Sequence, residues 1–136
     1  MRTSAADPFF DTNVVLYLFG AQTAKAERAE AMLAQGAMIS VQVLDEVVAI
    51  ARRKMHMSWN EVRDVTGQLR AACRVAPLTL QMHDEAVRVA EETGYSIHDS
   101  MIVAAALASG CSKLYSEDLQ HGRTIDGRLT IMNPFV

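Results

Sequence analysis

Asp11 follows the apolar pair Phe9-Phe10, and Asp118 follows Leu114-Tyr115 after Ser116 and Glu117. Each apolar pair reads as a short buried strand, so each acid stands just past a strand's carboxyl end. Open α/β sheets place their active sites there, near the point where strand order reverses. If the two strands are neighbours, both carboxylates face one crevice. Taken singly, each acid also has a plainer reading. Asp11 would cap the next helix, and Glu117 and Asp118 would form a solvated turn.

Two further acids fit the same crevice. Val43, Leu44, Val47, Val48, Ile50 and Ala51 define one broad apolar arc when projected at ~100° per residue. Glu46 lies at the edge of that arc, whereas Asp45 falls on the far side with Arg52. Asp99 opens a segment, Ile97 to Ser109, that is apolar almost all round and reads as a central buried helix. A carboxylate in a first helical turn is favoured by the dipole by ~0.3–1 kcal/mol, which is the plain account of Asp99. The same field keeps it ionised, as a metal ligand must be.

Carboxylates gathered without counter-charge raise one another's pKa and strain the fold. A hard divalent cation removes that conflict, and Mg²⁺ or Mn²⁺ prefers oxygen ligands together with retained water. Such an ion bridges to phosphate oxygen, activates water and offsets charge in the transition state. Asp11, Glu46, Asp99 and Asp118 are therefore the candidate metal ligands and catalytic acids.

The rest of the composition limits the alternatives. The chain has 136 residues, half of them hydrophobic, 21% charged and 6% aromatic, which suits an α/β globular domain and argues against disorder. Its formal net charge of −3 supplies no global field for nucleic acid, so any such contact needs a local patch or a bound cation. Arg52-Arg53-Lys54 closes a helix, where positive charge suits the dipole, and is equally a candidate phosphate contact. Arg123 and Arg128 read as solvated loop. His56, His83, His98 and His121 lack zinc spacing, and Cys73 and Cys111 read as reduced, partly buried thiols. No signal-peptide pattern and no membrane-length apolar run is present, so a soluble, cytoplasmic protein without membrane contact is expected.

No repeat, low-complexity tract or linker divides the chain, and one domain over residues 1–136 is expected. Strands are expected at Phe9-Phe10, Ala37 to Ser40, Arg74 to Leu78, Lys113 to Tyr115 and Leu129 to Met132. Helices are expected from a cap at Thr12 or Asn13 to Phe19, over Thr23 to Gln35, and over Val41 to Lys54. Others follow from a Ser58–Glu61 capping box, from Thr79 to Thr93, and over Ile97 to Ser109. In the helix after Ser58, Trp59, Val62, Val65 and Leu69 recur at helical spacing. Alternating strands and helices imply a parallel sheet between helical layers.

The chain resembles the PIN-domain family. Phe9-Phe10-Asp11-Thr12-Asn13 is similar to its opening motif, and Ile39-Ser40-Val41-Gln42-Val43-Leu44-Asp45-Glu46 to its second. His98-Asp99-Ser100-Met101-Ile102-Val103-Ala104-Ala105-Ala106-Leu107 resembles the third, and Leu114-Tyr115-Ser116-Glu117-Asp118-Leu119-Gln120-His121-Gly122 the fourth. Ile131-Met132-Asn133-Pro134-Phe135 is similar to the end of many members. The compact form is most similar to VapC-type toxins of toxin–antitoxin pairs. The resemblance implies a three-layer α/β/α sandwich with strand order 3-2-1-4-5. It also implies Mg²⁺- or Mn²⁺-dependent RNA cleavage, a homodimer and inhibition by a small antitoxin, with DNA contacted only through that antitoxin. It makes Asp11, Glu46, Asp99 and Asp118 the metal set, and Thr12, Asn13 and Ser116 orienting residues. The chain departs from the pattern in Asp45, where Asn is common, and in His98, where an aromatic is common.

Other readings of the acids fit less well. A phosphotransfer enzyme using Asp11 as nucleophile wants an acid two residues on, where Asn13 stands. A receiver-type signalling domain wants a lysine after its last strand, and Lys113 stands at the start of its strand. A catalytically inactive PIN fold acting as an RNA- or protein-binding module is the remaining alternative, against which the intact acid set counts.

Overall fold

The computed structural model describes residues 7–136. Its strands are β1 (Phe9–Phe10), β2 (Met38–Ser40), β3 (Arg74–Ala76), β4 (Lys113–Tyr115), β5 (Thr124–Ile125) and β6 (Leu129–Met132). The helices are α1 (Thr12–Leu16), which runs on as a 3₁₀ turn over Tyr17–Phe19, α2 (Ala24–Ala34), α3 (Val41–Arg53), α4 (Trp59–Ala72), α5 (Leu80–Thr93) and α6 (Ile97–Ala108). Among the described residues no helix is long and apolar enough to cross a membrane.

The strands form one sheet in the order β3-β2-β1-β4-β6-β5. Every neighbouring pair from β3 to β6 is parallel. The expected order therefore holds, with Leu129–Met132 as the strand beside β4. One element was not expected: β5 pairs antiparallel on the outer edge, through Thr124↔Thr130 and Ile125↔Leu129. Asp126 and Gly127 make the tight turn between the two, both at positive φ (54° and 65°). Asp-Gly is the dipeptide such hairpin turns favour, so the signal was in the sequence.

Burial explains why β1 is central. Successive strand residues point to opposite faces, and Phe9 and Phe10 are both fully buried, so both faces of the sheet are covered. Burial of each ring contributes roughly 1.5–3 kcal/mol. Phe10 meets Tyr115 of β4 edge-on, with ring centroids 5.6 Å apart. The helices bury stripes at helical spacing: Val43, Val47 and Ala51 on α3, Val62, Val65 and Leu69 on α4, and Met82, Ala86 and Val89 on α5, which packs on α6. Helix α6 buries residues from Ser100 through Leu107 almost without interruption, as its all-round apolar character predicts.

The caps are largely those the sequence indicates. Ser58 and Glu61 form the reciprocal box of α4, with bonds of 2.9 and 3.1 Å. Thr79 caps α5, and Gly94 ends it in the left-handed region at φ 77°. Helix α1 is capped by Asp11, as the plainer reading of that acid has it, and neither Thr12 nor Asn13 fills that role. Pairing of β1 with β4 carries the chain straight to Asp11, whose amide donates to the Tyr115 carbonyl at 2.9 Å, and the helix starts at once.

Candidate active site

Strand order reverses between β1 and β4, since β1 leads to β2 on one side while β4 lies on the other. The crevice beyond their carboxyl ends is where an open α/β sheet binds its ligands. A cleft of about 390 Å³ lies there, lined by Asp11, Thr12, Asn13, Glu46, Asp99 and Asp118, with Leu16, Ala49, Ile50 and Arg53 completing its wall. All four predicted acids reach it from separate segments. Asp45, one residue from Glu46, is exposed and absent from the lining, as the helical phase of α3 requires.

Asp11 is only 6% exposed and its two oxygens are held differently. Oδ1 accepts from the Thr12 amide at 2.7 Å. Oδ2 accepts from the Ser116 hydroxyl at 2.8 Å and, more loosely, from Asn13 Nδ2 at 3.4 Å. Ser116 is fully buried and its Oγ also accepts from the amides of Asp118 and Leu119, at 3.3 and 3.2 Å. One hydroxyl thus fixes Asp11 and shapes the loop that presents Asp118. Asn13 Oδ1 adds a second tie by accepting from the Glu117 amide at 3.1 Å.

Glu46 accepts from the Thr12 hydroxyl at 3.0 Å, which joins α3 to the start of α1. Asp99 sits three residues into α6, whose cap Ser96 accepts from the Asp99 amide at 3.1 Å. Among the described residues, the carboxylates of Asp99 and Asp118 take no hydrogen bond and enter no ion pair. Asp11 and Glu46, by contrast, are held by hydrogen bonds.

Burial dominates the electrostatics of the site, and the neighbouring acids add to it. Burial pushes Asp11 from its ordinary 3.8 up to about 6, against the hydrogen bonds of Ser116 and Thr12, and the charges of Asp99 and Glu46 push the same way. Glu46 is also raised, first by burial and further by Asp99, while Thr12 and His98 oppose the shift. A cation in the cleft would reverse this logic. Among the described residues no three acids, histidines or cysteines are grouped so that they could hold a metal ion as they stand. A hard ion such as Mg²⁺ or Mn²⁺ would have to be held here through one or two of the carboxylates and retained water. The donor set fits such an ion: oxygen ligands only, two of them without protein partners, in a cleft with room for water.

The remaining candidates separate clearly. Thr12, Asn13 and Ser116 all bond within the acid network. Arg53 lines the cleft; Arg52 turns away to lie on Trp59 and to donate to the Met57 carbonyl at 2.8 Å. Glu117 also turns away and pairs with Lys25 and with the Tyr17 hydroxyl, the latter at 2.7 Å. Lys25 lies near the Tyr17 and Phe135 rings as well, so this cluster clamps α2 and the C-terminal segment to the loop after β4. Sequence reasoning missed the clamp because residues 17, 25, 117 and 135 share no local pattern.

The PIN domain family matches the chain over residues 9–125. No curated protein matches it in sequence. Among solved structures, a toxin–antitoxin complex from Klebsiella pneumoniae is similar, with TM-score 0.71 and 18% identity, covering 93% of this chain and 97% of that one. VapC20 of Mycobacterium tuberculosis, a toxin that cleaves the sarcin–ricin loop, is similar with TM-score 0.63 and 23% identity over 81% of this chain and 88% of its own. VapBC2 of Rickettsia felis, bound to a fragment of promoter DNA, gives TM-score 0.67 at 16% identity over 92% and 96%. At these identities the shared feature is the fold.

Proposed function

The chain belongs to the PIN-domain family, and from that premise we propose that its acidic cleft is the active centre of a metal-dependent endoribonuclease, a VapC-like toxin held in check by an antitoxin. The observation that carries the reading is the arrival of Asp11, Glu46, Asp99 and Asp118 on one cleft from four separate segments. Similarity to toxins solved with their antitoxins supports it.

Each acid has its own part in this reading. Asp11 is the fixed ligand, its geometry set by Ser116 and the Thr12 amide. Asp99 and Asp118 would hold the ion with it, and Glu46 would complete the set from α3. Mg²⁺ or Mn²⁺, when bound, supplies Lewis-acid polarisation of the scissile phosphate and a water of lowered pKa. Arg53 on the cleft wall is placed to offset phosphate charge, which an acidic surface otherwise repels. The partners are an RNA substrate, a small antitoxin and a second copy of the chain in a homodimer, with operator DNA reached only through the antitoxin.

Cleavage of total RNA by purified chain in Mg²⁺ or Mn²⁺, against EDTA and against Asp99→Asn, tests the proposal. Metal-dependent cleavage that the substitution abolishes is the expected result. Cleavage that persists in Asp99→Asn would place the chemistry elsewhere. A folded chain that binds RNA or protein and cleaves nothing in any metal would make the cleft part of a binding module.

A further inference from the structure

Trp59 is the one tryptophan of the chain, and its spacing with Val62, Val65 and Leu69 marks it for the core. The fold buries the other three and leaves Trp59 55% exposed. The helix explains the difference: Trp59 is the first residue of α4, one turn beyond where the α4 stripe meets the sheet layers. The ring is not left bare. Arg52 lies over one face, with its guanidinium carbon 4.4 Å from the ring centroid. Its bond to the Met57 carbonyl fixes it there. Arg52 enters no ion pair among the described residues, so its charge is not cancelled by a neighbouring acid.

The pair stands at the end of the helix that lines the acidic cleft. From Glu46 to Arg52, α3 rises about 9 Å. Arg53, the next residue, forms part of the cleft wall. Helix α3 thus carries an acid into the cleft, an arginine on its wall and, on the side turned away from it, the arginine of the stacked arginine–indole pair. Exposed aromatic faces backed by positive charge bind single-stranded nucleic acid, because every base has a π-face and the backbone is anionic. Bases in a duplex are stacked already and offer no such face. A chain of net charge −3 needs a device of this kind to hold an anionic polymer near its acids.

We propose that Arg52 and Trp59 form a stacking platform for one base of a single-stranded RNA whose scissile phosphate lies in the cleft. The proposal rests on the ribonuclease reading of that cleft. It assigns Arg52 to substrate contact outside the metal site, leaving Arg53 to the phosphate inside it.

Because Trp59 is the sole tryptophan, intrinsic fluorescence reads the platform directly. The Asp11→Asn chain in Mg²⁺ is titrated with a short mixed-sequence single-stranded RNA and with the matching duplex. Saturable quenching by the single strand, and much weaker quenching by the duplex, is expected. By anisotropy of labelled RNA, Trp59→Ala weakens binding about tenfold and Trp59→Phe keeps most of it, as stacking requires. The salt dependence of binding stays unchanged in both, since no phosphate contact is removed. Equal affinity in Trp59→Ala, or an indole that ignores RNA, overturns the proposal. An indole that responds to protein concentration instead assigns the face to contact between copies and overturns it likewise. Metal-dependent cleavage by the unmodified chain with a silent Trp59 sinks the platform and leaves the nuclease standing. A quenched Trp59 without any cleavage keeps the platform and sinks the nuclease.

Discussion

The buried hydroxyl of Ser116 donates to Asp11 Oδ2 at 2.8 Å, joining residues 105 positions apart at the adjacent ends of β1 and β4. This contact sets the position and the acidity of Asp11 together. Ser116→Ala removes a hydrogen bond that lowers the Asp11 pKa. It also leaves the Asp118 and Leu119 amides without their acceptor. A stability loss of about 1–3 kcal/mol is expected for the stranded buried groups, measured by urea denaturation. The acidic limb of the cleavage pH profile should move to higher pH. A variant as stable as the parent, with an unmoved limb, would show that the contact is incidental.

Asp11→Asn separates charge from shape. Burial first, then Asp99 and Glu46, raises this acid from 3.8 to about 6. Below pH 3.8 it is protonated in folded and unfolded chains alike and has no effect on stability. As pH rises toward 6, the unfolded chain releases the proton while the folded chain retains it, so the metal-free fold loses stability. Above 6 the loss is complete, on the order of 2–3 kcal/mol. Asparagine escapes it and keeps an oxygen for the Thr12 amide. Its amide group faces the Ser116 hydroxyl, which offsets part of the gain. In EDTA, the stability of the variant relative to the parent should climb between pH 4 and 6 and then level off. Added Mg²⁺ should stabilise the parent more than the variant by mass action. A stability gap independent of pH would contradict the raised pKa.

Much of this site was legible because its signals are local. Asp11 and Asp118 could be placed from the apolar pairs before them, and Glu46 from the phase of α3. The failures have physical causes. Trp59 obeys the α4 period but lies at the first residue of the helix, where the buried stripe has ended, and periodicity does not show where a stripe stops being covered. Strand β5 is two residues long, too short for alternation to register, and only the Asp126-Gly127 turn announced it. Assigning Arg53 rather than Arg52 to the cleft required the structure, since both close the same helix turn with the same charge.

The helical phase of α3 makes a sharp comparison of neighbours. Glu46 lines the cleft and accepts from Thr12, whereas Asp45 faces solvent. Glu46→Gln should lower cleavage about 100-fold, a typical cost at a metal site. Asp45→Asn should stay within about twofold of the parent, with stability changed by less than about 0.5 kcal/mol, as for other surface changes. Initial rates in Mg²⁺ on one RNA distinguish the two. Equal losses would mean that both carboxylates reach the metal and that the phase argument is wrong.

The proposed reading of the acidic cleft suggests how an antitoxin would restrain this chain. Among the described residues Asp99 and Asp118 have no side-chain partner, so the cleft presents two unpaired carboxylates beside Asp11 and Glu46. A guanidinium entering the cleft pairs with carboxylates in a fixed bidentate geometry and competes with a metal for the same oxygens. A lysine would enter as a compact, strongly hydrated ion and fit less well. An inhibitory antitoxin encoded beside this chain should therefore place an arginine among the four acids while the rest of its arm lies on apolar surface. Expression of the chain alone should arrest growth, and co-expression of the neighbour should restore it. Replacing the inserted arginine with alanine should leave the complex associated but restore cleavage, and lysine should inhibit less well. Added Mg²⁺ or Mn²⁺ should raise residual cleavage by the lysine complex more than by the arginine complex, because only the displaceable cation yields the site. Inhibition that survives the alanine change, in a complex whose cleft still binds metal, would show that the antitoxin acts by covering the substrate path rather than by occupying the acids.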